Sequence, residues 1–321
     1  MLHVNSRVRT QLSCLAARSS PSGRSWVTTQ SKPPVSRFRP LDILDDVNVD
    51  RFRERCFAPE LPIVLPRGNF DNLPAVTRWF RSSSSSPSAS QLNTEYLQQH
   101  GGDAFVPLEL TQSVQQGQPG GGEVEFRKFH APLSLFLEWM RAAETQSPTA
   151  RLYMAQCQLL DLPQTLRDDF PVPSVVSQAG RGDIYDTNVW IGYPPTYTPL
   201  HRDPNPNLFV QLAGQKVVRL IAPNKGQTVF ASVRRELGRS SDHGAAAFRG
   251  EEMMQGQERT LLEAAVWGDG ITTSGPESRG DCEGFEARLS AGDGLFIPKG
   301  WWHSIKGVGE GVTASVNWWF R

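Results

Sequence analysis

The stretch YTPLHRDPNPNLFVQLAGQKVVRLIA, residues 197–222, carries the strongest structural signal in the chain. Its second half contains two apolar runs, residues 208–212 and 215–221, whose length and composition are typical of β-strands. Ala213-Gly214 separates the runs and predicts a tight hairpin between them. In the first half, His201 and Asp203 stand two residues apart, a spacing that puts both side chains on one face of a strand.

A second segment, GDGLFIPKGWWHSI (residues 292–305), supplies His303 after a short apolar strand and a Pro-Lys-Gly turn. Neither motif is specific alone, because single histidines are usually surface or core residues. Together they provide two imidazoles and one carboxylate, which is the facial triad of non-haem Fe(II) oxygenases. Since Asp203 and His303 are far apart in the sequence, only a closed fold brings them together.

The rest of the chain indicates helices in its first half and short strands in its second. Helices are expected over residues 49–57, 75–81, 92–99 and 132–142, and strands over residues 61–65, 105–110, 153–160, 186–191, 295–297 and 312–319. A Ser/Pro-rich run at 80–91 and a Gly-rich run at 115–123 predict surface loops. Many short strands with Gly and Pro turns favour a mainly β fold, either a jelly-roll or a barrel.

Charge is distributed unevenly along the 321 residues, although the net charge is zero. Residues 1–41 hold seven Arg and Lys residues and no acidic residue, a composition typical of a mitochondrial transit peptide. A disordered basic tail of a cytoplasmic or nuclear protein is the alternative. Removing these seven from the 33 basic residues leaves 26 against 33 acidic ones, a net charge of −7 for the remainder. That acidic body disfavours nucleic acid as a partner.

Several separate motifs, in the same order, resemble those of the Jumonji C (JmjC) oxygenases. Residues 198–223 (TPLHRDPNPNLFVQLAGQKVVRLIAP) and 292–307 (GDGLFIPKGWWHSIKG) are similar to the two metal-binding segments of that family. The likeness extends to RLYMAQCQLL at 151–160, DIYDTNVWIG at 183–192 and SVNWWF at 315–320. The small hydroxylase branch, with its asparaginyl and arginyl protein hydroxylases, is the part of the family that the chain resembles.

This resemblance implies the architecture. We expect a double-stranded β-helix, the jelly-roll or cupin-like core, as a catalytic domain over residues 151–321. An α/β lead-in that contains helices is expected over residues 42–150, packed on the core. Residues 224–284, between the two metal-binding segments, are longer and more polar than such a domain needs, with one possible helix at 260–266. They are expected to be a substrate-binding insert or a tolerated surface loop.

Carried over by position, the resemblance makes His201, Asp203 and His303 the ligands of Fe(II). The family needs no catalytic residue beyond these metal ligands. Trp319 and Arg202 are expected to line the path of the substrate. Trp301, Trp302 and Trp318 are expected in the core, where large aromatic side chains are usually found.

The resemblance also implies 2-oxoglutarate as the second cofactor. Lys216 matches the lysine that pairs with its distal carboxylate, and Thr198 and Tyr153 match the hydroxyl groups that hydrogen-bond the same carboxylate. A buried dianion requires a cation and donors of this kind. Taken alone, Lys216 would be interpreted as a solvated lysine on an edge strand. Asn207 and Asn317 match residues near the cofactor, although a structural hydrogen bond explains an asparagine at either position equally well.

The predicted function is therefore that of an Fe(II)- and 2-oxoglutarate-dependent dioxygenase, with O2 as co-substrate and succinate and CO2 as products. Hydroxylation of a protein side chain is favoured over demethylation, because the sequence contains no Cys/His reader module. The alternatives are a non-catalytic JmjC- or cupin-like binding protein and a hydroxylase of a modified RNA or small molecule. No apolar run approaches the roughly 18 residues of a membrane span, and nothing in the sequence specifies an oligomeric state.

Overall fold

Two sheets face each other at the centre of the fold, and helices cover the outer face of each. The computed structural model describes residues 37–82, 89–114, 123–146, 149–239, 253–268 and 284–321. The strands are β1 (Phe38–Pro40), β2 (Ile63–Leu65), β3 (Phe80–Ser82), β4 (Ser90–Leu92), β5 (Phe105–Val114), β6 (Glu123–Pro132), β7 (Ala150–Gln158), β8 (Ile184–Gly192), β9 (Thr196–Arg202), β10 (Asn207–Ala213), β11 (Gln215–Ile221), β12 (Gly284–Ser290), β13 (Gly294–Ile297), β14 (Trp302–Val308) and β15 (Thr313–Phe320). The α-helices are α1 (Val49–Phe52), α2 (Pro74–Arg78), α3 (Thr94–Gly101), α4 (Leu133–Thr145), α5 (Gln164–Arg167), α6 (Ser174–Gln178), α7 (Pro223–Glu236) and α8 (Gly256–Trp267).

The strand order defines a jelly-roll. One sheet has five strands in the order β1-β12-β11-β14-β9, and the other has eight in the order β2-β13-β10-β15-β8-β7-β5-β6. From β8 to β15 successive strands alternate between the sheets, except that β11 and β12 are neighbours in the five-stranded sheet. The core pairs are antiparallel, whereas β1 joins β12 in parallel. The expectation of a mainly β, jelly-roll, cupin-like fold is confirmed.

Three apolar layers hold the sheets and helices together. The largest lies between the eight-stranded sheet and helices α1 to α6, and it contains Phe136 and Trp318. A second fills the space between the two sheets, where Phe209 meets Val218. The third joins the outer face of the five-stranded sheet to α7 and α8 through residues such as Trp302. Burial of this apolar surface is the main favourable term in the folding of such a chain.

Strand β15 shows how the sequence selects the two faces of a sheet. Alternate residues Ala314, Val316, Trp318 and Phe320 are buried in the layer shared with the helices. The intervening residues, Ser315, Asn317 and Trp319 among them, point to the opposite face because side chains alternate along a strand. The face between the sheets therefore receives polar side chains at this end of the fold.

The predicted hairpin at Ala213-Gly214 is wrong. Strand β10 lies in the eight-stranded sheet and β11 in the five-stranded sheet, so the chain crosses between sheets at this point instead of pairing with itself. Gly214 allows the crossing because its φ is +64°, and a Cβ there would lie 2.4 Å from the Val312 carbonyl oxygen. A jelly-roll crossing and a hairpin share the same local sequence signal.

Several other predicted elements have different residue ranges in the structure. The helix expected over 75–81 ends at Arg78, and the flanks of the Ser/Pro-rich run form the hairpin of β3 and β4, while residues 83–88 lie outside the described residues. Strand β6 follows the Gly-rich run, of which residues 115–122 lie outside the described part of the chain. The helix expected at 260–266 is α8, whereas α7 was missed because its first turn, Pro-Asn-Lys-Gly, is strongly polar.

The folded region begins ahead of residue 41. Phe38 and Leu41 are buried, and β1 pairs with β12. Residues 1–36 of the expected targeting segment lie outside the described residues. Among the helices that the structure describes, none is long and apolar enough to cross a membrane.

Candidate metal centre and the adjoining cavity

Two strands of the five-stranded sheet bring the predicted metal ligands together. His201 on β9 pairs directly with His303 on β14, and their ring centroids are 4.2 Å apart. Asp203 follows the end of β9 and lies against both rings. Its carboxylate oxygens are 4.0 Å from Nε2 of His201 and 3.7 Å from Nε2 of His303. All three ligand atoms lie within 4.8 Å of one another.

Backbone carbonyls fix the tautomer of both histidines. Nδ1 of His201 lies 2.8 Å from the Pro199 oxygen, and Nδ1 of His303 lies 3.1 Å from the Trp301 oxygen. A carbonyl only accepts, so each Nδ1 carries the proton and each Nε2 keeps a lone pair. Burial, together with the nearby His303, lowers the pKa of His201 to about 4, so this ring is neutral at pH 7. Both Nε2 atoms are thus ready to bind a metal ion.

Two donors hold the carboxylate of Asp203 in place. Asn207 Nδ2 donates to Oδ2 at 2.7 Å, and Trp319 Nε1 donates to the same oxygen at 3.2 Å. Oδ1 takes neither of these bonds and lies 4.0 Å from Nε2 of His201. Outer groups of this kind orient the ligands of metal sites and raise their affinity. Two imidazoles and one carboxylate suit Fe(II) and similar divalent transition metals.

A β-bulge aligns β9 with the cavity. His303 pairs with His201, but Ile305 pairs with Thr198, so two residues of β9 oppose Ser304 alone. Without the extra residue, Thr198 and His201 would point to opposite faces of the sheet, because side chains alternate. With the bulge, both line the cavity between the sheets.

The cavity extends from the triad to Lys216 and encloses about 430 Å³, including its open mouth. Lys216 on β11 is 2% exposed, and its Nζ donates to Ser315 Oγ at 2.6 Å and to the Tyr153 hydroxyl at 3.3 Å. No carboxylate lies within ion-pair distance of Nζ in the part of the chain that the structure describes. Burial consequently lowers the pKa of Lys216 to about 7 and raises that of Tyr153.

The asparagines leave polar atoms without partners in this cavity. Asn207 uses its amide group on Asp203, and its buried Oδ1 has no partner. Asn317 Oδ1 accepts from Trp190 Nε1 at 2.7 Å, while its buried Nδ2 has none. Such atoms are costly unless a bound molecule or water satisfies them. The cavity therefore offers one cation, hydroxyl groups and one amide donor to an anionic ligand.

The structure gathers nearly all of the predicted site residues around one cavity. Its lining includes the eight residues predicted as metal or cofactor ligands and also Trp319, namely Tyr153, Thr198, His201, Asp203, Asn207, Lys216, His303, Asn317 and Trp319. Arg202 does not line it, because the residue next to a ligand on a strand faces outward. Its guanidinium lies 5.6 Å from the centre of the Trp302 ring, on the outer face.

Sequence reasoning missed Trp190, Ser315 and Phe209. Phe209 and Trp190 line the cavity, and Ser315 accepts from Lys216. The alternation of a strand was a signal that could have found Ser315, which stands two residues before Asn317 on β15. The expected core tryptophans Trp301, Trp302 and Trp318 are all buried.

Comparison with known proteins agrees with the geometry. A family model described as a cupin-like domain matches residues 49–321. Lysine-specific demethylase JMJ30 of Arabidopsis thaliana is 25% identical over 274 residues, which are 85% of this chain and 53% of that protein. Lysine-specific demethylase 8 of Xenopus tropicalis is 24% identical over 275 residues, 85% of this chain and 51% of that protein. Jumonji C domain-containing protein 5 of Drosophila melanogaster is 24% identical over 281 residues, 87% of this chain and 59% of that protein.

The chain belongs to this cupin-like, JmjC-type family, and the predicted resemblance is confirmed. It spans about half the length of the curated relatives that it matches.

Proposed function

We propose that the chain is an Fe(II)- and 2-oxoglutarate-dependent dioxygenase that hydroxylates a protein side chain. The observation that carries the proposal is Lys216, a buried amine that faces the His201–Asp203–His303 cluster across one cavity and has no carboxylate beside it among the described residues. A buried cation without a counter-ion is unfavourable, so it indicates a ligand that brings negative charge. The distal carboxylate of 2-oxoglutarate supplies that charge.

Each residue of the cavity has a defined task in this proposal. His201, Asp203 and His303 would hold Fe(II), with their orientation fixed by the carbonyls, Asn207 and Trp319. Lys216, Tyr153 and Thr198 would hold the distal carboxylate of 2-oxoglutarate. When bound, iron and 2-oxoglutarate would supply the chemistry that activates O2, so that one oxygen atom enters a C–H bond of the substrate and the other enters succinate as CO2 is released.

The protein itself would position the ligands, neutralise the charge of the anion and exclude water from the cavity. Each of the two histidines keeps its Nδ1 proton in a hydrogen bond to a backbone carbonyl, and each Nε2 would be taken up by the metal, so neither ring would be free to act as a general base. Phe209 and Ile305 supply apolar wall between the polar groups, which keeps the cavity dry and strengthens the interaction of Lys216 with an anion. Asn317 offers its Nδ2 group to an oxygen of the ligand.

Lysine demethylation is the second candidate, and it is favoured by the names of two relatives, which are lysine-specific demethylases. A demethylase and a hydroxylase use the same metal and the same cofactor, so the described cavity is compatible with both. We favour hydroxylation because the two metal-binding segments resemble those of protein hydroxylases. The product distinguishes the two reactions, since hydroxylation adds one oxygen atom and demethylation removes a methyl group as formaldehyde.

Turnover without added substrate is the first test. The full chain is incubated with Fe(II), ascorbate, O2 and 2-oxoglutarate, and succinate is quantified against His201→Ala and Lys216→Met. Succinate from the wild type alone supports the oxygenase proposal. Because some oxygenases idle without substrate, calorimetric binding of 2-oxoglutarate to the Mn(II)-loaded chain is measured as well. Absence of both signals refutes the proposal and favours a non-catalytic binding protein.

The substrate class needs a second experiment. Protein, RNA and small-molecule fractions of a cell extract are offered separately, and substrate-dependent succinate above the uncoupled rate is measured. We expect the protein fraction to stimulate succinate formation, with a gain of one oxygen atom in the modified peptide. Stimulation by RNA or small molecules alone would contradict a protein substrate, and formaldehyde release would identify a demethylase.

Mitochondrial localisation is also a proposal, supported by the composition of residues 1–41. A fluorescent protein fused to the C-terminus of the full chain should enter mitochondria, and a chain that lacks residues 1–36 should not. The same distribution for both fusions would argue for the basic-tail alternative.

A further inference from the structure

The β-bulge between β9 and β14 is held by side chains as well as by the backbone. At the bulge, Pro199 and Leu200 together oppose Ser304. Pro199 has no N–H group, so it donates no hydrogen bond to the ladder. A bulge also leaves an unpaired residue that disrupts the ladder locally. Another contact has to fix the path of β9 at this point if the side chains of Thr198 and His201 are both to point into the cavity.

Ser304 and Trp267 provide that contact. Ser304 is fully buried, and its hydroxyl donates to the Thr198 carbonyl oxygen at 2.7 Å. Trp267, the last residue of α8, donates its indole N–H to the same hydroxyl oxygen at 2.8 Å. The serine hydroxyl has one proton, so accepting from Trp267 directs that proton to Thr198. Linked hydrogen bonds of this kind strengthen one another.

The end of α8 is itself anchored on the outer face of the five-stranded sheet. Arg219 on β11 donates to the Val266 carbonyl oxygen at 2.7 Å, and Arg37 donates to the Ala265 oxygen at 3.1 Å. These carbonyls belong to the last turn of the helix, which has no intrahelical donors left for them. The Trp267 ring lies 4.5 Å from the Arg219 guanidinium carbon, measured to the ring centroid.

The apolar side of the bulge meets the same helix. Leu200 is fully buried in the cluster that contains Leu262 and Val266 of α8. Helix α8 therefore contacts the bulge in two ways. It packs against Leu200, and it is linked to the Thr198 carbonyl through Ser304.

We infer that Trp267 and Ser304 are positioning residues of the proposed oxygenase: α8, part of the insert between the two metal-binding segments, fixes the bulge that aims Thr198 and His201 into the cavity. This inference rests on the proposed function. It gives the insert a role in assembling the site. Trp267 acts through Ser304, so its effect depends on the serine hydroxyl.

The test compares Ser304→Ala, Trp267→Phe and the double variant. Trp267→Phe keeps an aromatic ring beside Arg219 and removes the N–H donor, although the phenyl ring is smaller than the indole. Calorimetry on the Mn(II)-loaded full chain measures 2-oxoglutarate affinity. We expect Ser304→Ala to weaken it about tenfold, the effect of one lost buried hydrogen bond at about 1.4 kcal/mol per tenfold. Trp267→Phe should weaken it less, and the double variant should equal Ser304→Ala, because the two residues act in series.

A matched control separates positioning from the docking of α8. Lys306 on β14, two residues after Ser304 and outside the bulge itself, donates to Glu263 of α8 at 2.7 Å, and Glu263→Gln weakens this ion pair. We expect Glu263→Gln to leave 2-oxoglutarate affinity unchanged, and Ser304→Thr, which keeps the hydroxyl, to retain most of it. Equal losses in Glu263→Gln and Ser304→Ala would overturn the inference, as would additive losses in the double variant.

A second readout does not depend on 2-oxoglutarate. In the metal-free chain, the ¹⁵N resonances of the His201 ring should shift in Ser304→Ala and stay unchanged in Glu263→Gln. If the wild type binds no 2-oxoglutarate, the proposed function fails, and these resonances alone decide the inference. Unshifted His201 resonances in Ser304→Ala would overturn it.

Discussion

The charge state of Lys216 predicts how 2-oxoglutarate affinity depends on pH. Burial lowers the pKa of the free lysine from 10.5 to about 7. A bound carboxylate favours the charged amine and raises that pKa again. Binding therefore takes up a growing fraction of a proton as the pH rises above 7, and the affinity for 2-oxoglutarate falls as the pH rises through the pKa of the free lysine.

The size of the effect follows from the charged fraction. At pH 7 about half of Lys216 is protonated, and at pH 8.5 only about 3% is, so the apparent Kd should rise about 16-fold between these values. His201 and Tyr153 keep one protonation state throughout this window. The pKa of His201 is lowered to about 4, and burial raises the pKa of Tyr153 above its ordinary value. Both carboxyl groups of 2-oxoglutarate are ionised throughout, since carboxyl pKa values lie near 4.

Calorimetry on the Mn(II)-loaded full chain measures both consequences. The apparent Kd is determined from pH 6.5 to 8.5, and titrations in two buffers of different ionisation enthalpy give the number of protons taken up. We expect uptake to rise from about half a proton at pH 7 toward one at pH 8.5. Lys216→Arg is the control, because a guanidinium stays charged over this range and should give a flat profile.

A flat wild-type profile without proton uptake would refute this reasoning. It would mean that the free lysine is already charged at pH 8.5, or that 2-oxoglutarate binds elsewhere. The same pH dependence in Lys216→Arg would assign the proton to another group.

Three further predictions test the site, the lead-in and the sheet crossing. His201→Ala should abolish metal retention, and unchanged metal content in this variant would remove the triad assignment. Trp319→Phe, which keeps an aromatic ring but loses the bond to Asp203, should weaken Mn(II) affinity by about tenfold. Asp169 is fully buried and accepts hydrogen bonds from Arg78, Trp79 and Tyr96. Asp169→Asn should therefore lower the free energy of unfolding, measured by urea titration, by about 2 kcal/mol. An unchanged free energy would show that these bonds make no net contribution. Gly214→Ala should lower the free energy of unfolding by at least about 2 kcal/mol more than Gly238→Ala does. Both glycines have φ +64°, but only at Gly214 would a Cβ lie against a backbone oxygen. Equal losses of stability in the two variants would contradict the steric argument.

The sequence was sufficient to predict most of the site because strand alternation is local. His201, Asp203 and His303 occur in motifs whose turns and apolar runs are visible in the chain, and the cavity collects them as expected. Arg202 went to the outer face for the same reason that His201 went inward, since neighbours on a strand point to opposite sides. Its assignment to the substrate path ignored that rule.

The bulge and the sheet crossing could not be predicted from local pattern. Thr198 and His201 are an odd number of residues apart, so regular alternation would separate them, and only the pairing with β14 reveals the extra residue. Likewise, Ala213-Gly214 satisfies the requirements of a hairpin and of a crossing. Which one forms depends on partners such as β15 and β12, which lie far along the chain.

The same pairing explains why Lys216 is not the solvated lysine that its isolated sequence suggests. Strand β11 lies between β12 and β14, so it is central in its sheet, and its inward face is covered by the second sheet. Lowering a lysine pKa from 10.5 to about 7 corresponds to about 5 kcal/mol of unfavourable burial for the charged form. If this position had only a structural role, an apolar residue would fill it more favourably. Val218 and Leu220 fill the neighbouring positions on the same face of β11 in this way. The apolar layers of the fold offset this unfavourable free energy, and a dianion that enters the cavity would stabilise the charged form of Lys216. The local conflict between burial and charge at Lys216 is thus evidence for a ligand, because natural proteins concentrate such conflicts at functional sites.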